Sequence, residues 1–146
     1  MAAGSKFATL GASLTDLEAS AAERLQDAEM LLAAGRFPSA IAMGVYSLEI
    51  HLKVLICKKL NLIGLPRAFE IHELESLLVL SGLQAARDSE SPSIQFNWEE
   101  IVDQSLQINE MRYLSPANWN QREAEAFFQQ LRDSPDGVLP WLLAQP

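Results

Sequence analysis

The chain has one cysteine and two histidines among its 146 residues. That is too few thiols for an internal disulfide and too few imidazoles for a structural zinc site, and no close His/Cys/Asp cluster compensates. A glycine-rich phosphate loop, an HExxH helix and a serine nucleophile elbow are all missing, which removes the common templates for hydrolysis and nucleotidyl transfer. No internal repeat and no β-branched alternating run is present, so a sheet-based or solenoid architecture is not expected. The longest apolar candidates, around Val54–Cys57 and Leu77–Leu80, are broken by Lys58 and Ser81 well short of the roughly 18 residues of a membrane span. The opening MAAGSKFATLGASL lacks the basic and apolar regions of a secretory signal, so the expectation is a cytoplasmic protein without a membrane partner. Bases are also scarce: 11 Lys and Arg face 19 Asp and Glu, a net charge of −8. A general nucleic-acid surface needs the opposite balance, because phosphate contacts by Lys and Arg supply most non-specific affinity.

What the chain has is apolar residues, 49% of the total, enough for one domain with a buried core. They are arranged with helical spacing. The organising stretch is GRFPSAIAMGVYSLEIHLKVLICKKLNLIG, from Gly35 to Gly64. Ile41, Val45, Leu48, Leu52, Leu55, Ile56 and Leu60 recur at three- and four-residue steps and predict one long helix with a broad apolar stripe. Pro38 suits its first turn and Gly64 its stop, giving a rod of roughly 37 Å. Cys57 falls among those apolar residues and reads as a small buried hydrophobe. Glu49 lies at the edge of the stripe with Lys53 one turn later, in the favourable order for a local ion pair. From Ile50 to Phe69 the chain carries Lys53, Lys58, Lys59 and Arg67 and no acid, making this its one basic patch. After Phe69 thirteen acids face four bases, a surface suited to solubility or to a basic partner.

The remaining segments fall into place around that helix. Residues 1–13 are small, polar and aperiodic, and are expected to form a flexible leader before a single domain over 14–146. Thr15 and Glu18 form a capping-box pattern for a first helix ending at Gly35, whose short turn folds the second helix back antiparallel. Small Ala28, Ala40 and Gly44 would permit close approach. A short helix near Ile71 closes at Gly82, and 84–93 reads as a surface loop. A cap at Asn97 opens a fourth helix running toward Arg112 and Tyr113, with Pro116 ending it. Asn120 caps a fifth, with Ala124, Phe127, Phe128 and Leu131 inward, before a short apolar tail over 138–143. The predicted fold is all-α, an antiparallel bundle of about five helices.

The run AERLQDAEMLLAAGRFPSAIAMGVYSLEIHLKVLICKKLNL, then His72-Glu73-Leu74 before Leu77-Leu78, then Glu110-Met111-Arg112-Tyr113 ahead of a capped last helix, resembles the HEPN domain family of prokaryotes. The resemblance spans about Leu17 to Phe128. It implies a helical bundle, commonly a homodimer, often paired with a small nucleotidyltransferase in a toxin–antitoxin or defence system. Active members are metal-independent ribonucleases built on an Arg, a polar residue and a His a few positions beyond the Arg, and they need no cofactor. The matching arginine here is Arg112, but Tyr113 stands at the polar position and Ala117, Asn118 and Trp119 stand where the His belongs.

That difference has a chemical meaning. Metal-free RNA cleavage needs groups that take and give protons near neutrality, and an amide such as Asn118 cannot replace an imidazole. His72 and His51 are the only substitutes, with His51 able to face outward and His72 expected to orient the third helix through a backbone or carboxylate hydrogen bond. Arg112 is expected either to pair with Glu49 or Glu110 at a helix end or to contact a ligand. Trp98, Trp119 and Trp141 read as core or interface. The expectation is therefore a binding or regulatory dimer whose cleft gathers Arg112, Tyr113, Glu49, Lys53 and His72 around a nucleotide or RNA end. A divergent ribonuclease using Arg112 and a purely structural dimerisation domain are the alternatives.

Overall fold

The computed structural model describes residues 9–133 and 135–146, and they form a mostly helical molecule with one small ribbon. The elements are β1 (Leu10–Ser13), α1 (Leu14–Ala33), α2 (Phe37–Lys59), β2 (Gly64–Pro66), α3 (Leu74–Leu80), α4 (Gln84–Asp88), α5 (Pro92–Leu106), α6 (Ile108–Met111), α7 (Gln121–Arg132) and α8 (Val138–Leu143). Single 3-10 turns lie at Arg67–Phe69 and Pro116–Asn118. The all-α class holds. The five expected helices are present as α1, α2, α3, α5 and α7, but the fourth breaks at Gln107, so that its expected run toward Arg112 is the separate α6, and α4 and α8 are additional.

Chain stops explain much of this layout. Gly35, Asn61 and Gly82 all have positive φ, of 75°, 53° and 80°. Each follows the same pattern: the next residue's N–H reaches back to the third-last helical carbonyl, as in Arg36 to Leu31, Leu62 to Cys57 and Leu83 to Leu78. These left-handed caps end α1, α2 and α3. Asn61, one of the few non-glycine residues that tolerates this conformation, therefore ends the long helix, and the expected stop at Gly64 is corrected. Gly64 instead enters β2, where it lies opposite Ser13 while Leu10 lies opposite Pro66.

That ribbon also corrects the expected leader over 1–13. Leu10–Ser13 is antiparallel strand, held by the β ladder and extended by Arg67 N donating to the Thr9 carbonyl at 2.9 Å; the rest of the leader lies outside the described residues. Ser13 then caps α1 by accepting from Asp16 N at 3.1 Å, so the cap falls two residues before Thr15. Likewise α5 begins at Pro92 under a Ser91 cap, well before Asn97, whose side chain donates to the Asp136 carbonyl at 2.9 Å. Within the expected loop over 84–93, Gln84–Asp88 is helical. The Asn120 cap is where the sequence puts it, accepting from Glu123 N at 2.8 Å.

α2 is the central rod. Ala40, Ile41, Leu48, Leu52 and Ile56 are fully buried and share a core with Leu77, Trp98, Ile101, Phe128, Leu131 and Leu142. A smaller cluster of Leu17, Val54, Cys57 and Leu65 sits beside the ribbon. All three tryptophans are buried, as core residues should be. By length and composition α2 is also apolar enough to cross a membrane, but 67% of its most apolar window is buried by the other helices, as in the core helix of a bundle. Gly44 lets α7 approach: a Cβ there would stand 2.6 Å from Phe127 Cε1. Its close contact is thus with α7, while the fully buried Ala28 and Ala40 belong to the α1 and α2 pair.

Candidate functional site

On α2, Val45, Tyr46 and Glu49 fall within about one turn and face the C-terminal end of α5 and the short α6. Between them is a cleft of about 350 Å³ lined by Val45, Tyr46, Glu49, His72, Ser105, Ile108 and Asn109. The break between α5 and α6 at Gln107 shapes its far wall, because it turns Ile108 into the core while leaving Asn109 exposed.

The polar centre of the cleft is Glu49, whose side chain is only 11% exposed. Both carboxylate oxygens are engaged. Lys53 Nζ donates to Oε2 at 3.3 Å from an equally buried position, and His72 Nδ1 lies 3.1 Å from Oε1. Taking two charges out of water costs several kcal/mol per ion before their attraction is counted, so this pair is an unusual thing to place at the edge of a core. His72 lies on the extended segment just before α3, and its ring is 85% exposed. The carboxylate bond expected of His72 is present and ties the approach to α3 onto α2.

Arg112 is placed differently from the expectation. Its Nη2 donates to Asn109 Oδ1 at 2.9 Å and its guanidinium lies 5.6 Å from the Tyr113 ring centre. It pairs with neither Glu49 nor Glu110, which corrects that reading. Arg24, Arg67, Arg87 and Arg132 each sit within ion-pair distance of at least one acid, whereas Arg112, like Arg36 and Arg122, has none among the described residues. Asn109 thus connects Arg112 to the cleft; Tyr113, 82% exposed, stands outside it. Glu49, Lys53 and His72 are brought together, Arg112 is brought to the rim, and the positions Ala117 and Asn118 form a surface turn with Trp119 buried beyond it.

The other histidine is not available to the cleft as expected. His51 is half-buried, with Nδ1 donating to the Ser47 carbonyl at 2.8 Å, and Ser47 in turn donates to the Ala21 carbonyl on α1 at 2.8 Å. Burial lowers its pKa, partly opposed by that backbone bond, so it is a neutral packing group. Cys57 is fully buried and its pKa is raised by burial, so the thiol is protonated and inert. The basic patch divides. Arg67 bonds to Glu70 at 3.1 Å beside the ribbon, whereas Lys58 and Lys59 line a separate recess.

Tyr46, Ser105 and Asn109 were not singled out from the sequence. The signal was there: Tyr46 precedes Glu49 by three residues, and Ser105, Asn109 and Arg112 follow at steps of four and three. In comparisons with known proteins, no family model, no curated protein and no solved structure matches the chain.

Proposed function

We propose that this protein is a HEPN-like, dimeric, cytoplasmic binding module that takes a nucleotide or RNA end at the cleft between α2 and α5–α6 without cleaving it. The observation that carries the reading is Arg112: in an acid-rich chain its guanidinium is tethered by Asn109 at the cleft rim and has no carboxylate partner among the described residues. A free, oriented guanidinium is suited to a phosphate. Tyr46 offers a ring face to a base, and the Asn109 amide N–H group remains to donate to it. Support for a dimer comes from Leu106, Tyr113 and Leu114, exposed apolar side chains next to the rim. A small nucleotidyltransferase is the partner that the sequence resemblance suggests for such a module.

Binding is preferred to cleavage because the turn after Arg112 offers no imidazole. One observation favours the ribonuclease reading instead. With Nδ1 of His72 on the Glu49 carboxylate, an exposed imidazole is held beside the polar centre of the cleft. Labelled mixed-sequence RNA incubated with purified protein separates the two. The binding reading expects intact RNA, retained by wild type and released by Arg112→Ala. Cleavage that Arg112→Ala and His72→Ala both abolish would replace it with the enzymatic one.

A further inference from the structure

A second recess lies away from the cleft, where the C-terminal ends of α2, α3 and α8 meet. It has a volume of about 300 Å³ and is lined by Leu55, Lys58, Lys59, Ser81, Leu83, Leu143, Gln145 and Pro146. Leu55, Leu83 and Leu143 give it an apolar floor and wall, and Leu143 is 64% exposed at its mouth. Leu60, Val79 and Leu80, on the same ends of α2 and α3, are exposed as well. Scattered exposed apolar residues are ordinary, but Leu143 stands over a concavity.

Two ammonium groups, Lys58 and Lys59, line the recess. Lys58 reaches Glu18 at 3.7 Å, a long and exposed contact. Lys59 lies across Gly82, where a Cβ would meet its Cε and Nζ at 3.3 Å, and it has no carboxylate partner among the described residues. Two lysines in the last turn of α2 offset the partial negative charge of that helix end. That role requires neither an apolar recess beneath them nor an ammonium held over its rim. The Ser81 hydroxyl donates its one hydrogen to the Leu78 carbonyl at 2.7 Å inside the turn, so it has none to offer a ligand.

We propose that this recess binds an aliphatic carboxylate: the Lys59 ammonium, with Lys58 beside it, receives the carboxylate, and the hydrocarbon tail lies along Leu55, Leu83 and Leu143. Complementarity of both charge and polarity selects this class. An unpaired cation in a chain of net charge −8 calls for an anion, and an apolar wall next to it calls for an apolar tail on the same molecule. Nucleotides fit less well, because no aromatic ring and no amide other than Gln145 faces the recess. The inference is independent of the reading of the α2 and α5–α6 cleft.

The test is isothermal titration of the full-length protein with decanoate, below its micelle concentration, beside decanol and acetate. Saturable one-to-one binding of decanoate is expected. Decanol, which keeps the tail but loses the charge-assisted bond, should bind about tenfold more weakly. Acetate should give no measurable heat. Leu143→Glu and Lys59→Met alter exposed positions and should leave the melting temperature near that of wild type; the first should abolish decanoate binding and the second weaken it about tenfold. No saturable decanoate binding, equal affinity for decanol, or unchanged binding in Leu143→Glu would each overturn the proposal.

Discussion

Replacing Glu49 tests why a buried ion pair is kept beside the cleft. The Glu49 and Lys53 side chains are 11% and 9% exposed, and Glu49 is the only hydrogen-bond or ion-pair partner Lys53 has among the described residues. In Glu49→Leu the ammonium is left buried and alone, and losing one partner of such a pair costs about 3–5 kcal/mol. Lys53→Met should cost less, because the Glu49 carboxylate keeps its hydrogen bond to the His72 ring. Removing both charges in Glu49→Leu/Lys53→Met replaces the pair with apolar volume, and the double variant should recover to within about 1 kcal/mol of wild type or exceed it. Urea unfolding followed by far-UV circular dichroism reads all four proteins. With m values of about 1–3 kcal/mol/M, the Glu49→Leu midpoint should fall by more than about 1 M. The double variant should fold but lose ligand binding, since it takes the polar centre out of the cleft. A Glu49→Leu cost below about 1 kcal/mol, the range of exposed pairs, would refute the argument. So would a double variant as unstable as the sum of the singles, because additive losses mean that the two side chains do not interact.

Three further perturbations probe the scaffold. Gly44→Ala places a methyl 2.6 Å from Phe127 Cε1 and 3.2 Å from Leu131 Cδ2, so it should destabilise by about 1–3 kcal/mol in urea unfolding, with partial recovery in Gly44→Ala/Phe127→Leu. His51 has a folded-state pKa below its ordinary value, so the unfolded chain binds the proton more readily. Its contribution to stability is complete above about pH 6.5 and is lost as the pH falls below that value, and His51→Gln should flatten this part of the melting-temperature profile. Cys57, fully buried with a raised pKa, should react with iodoacetamide only at the rate of unfolding, so native protein at neutral pH should stay unlabelled while urea-unfolded protein labels fully.

The sequence was most legible where local chemistry and periodicity agree. The apolar stripe of α2, the glycine stops at 35 and 82 and the Asn120 cap all appear in the structure, because each depends on residues within a few positions of one another. The misreadings have a common cause, which is that several residues qualified for one local role and tertiary contacts chose among them. Asn61 and Gly64 both can end a helix, and Gly64 was needed in the ribbon. Thr15 and Ser13 both can cap, and strand pairing through Leu10–Ser13 left Ser13 extended at the correct point. Asn97 looked like a cap but sits one turn or more inside α5, where its amide holds the chain at Asp136.

The site followed the same division. Glu49 with Lys53 is an i, i+4 pair and was visible directly. The Glu49 and His72 contact, 23 positions apart, required the return of the chain onto α2, and His72 was a candidate only through the scarcity of histidines and the His72-Glu73-Leu74 run. Arg112, at a helix end, was expected to pair with Glu49 or Glu110; instead the Asn109 amide took its guanidinium, a choice set by the short α6 turn between α5 and the surface.

The most direct test of the proposed cleft is an NMR titration of the isotopically labelled protein with a mononucleotide and then with a short single-stranded RNA. The account predicts saturable shifts concentrated at Tyr46, Glu49, His72, Ser105, Asn109 and Arg112, absent in Arg112→Ala, with the RNA intact at the end. Shifts confined to another face, or no saturable shift at all, would contradict it.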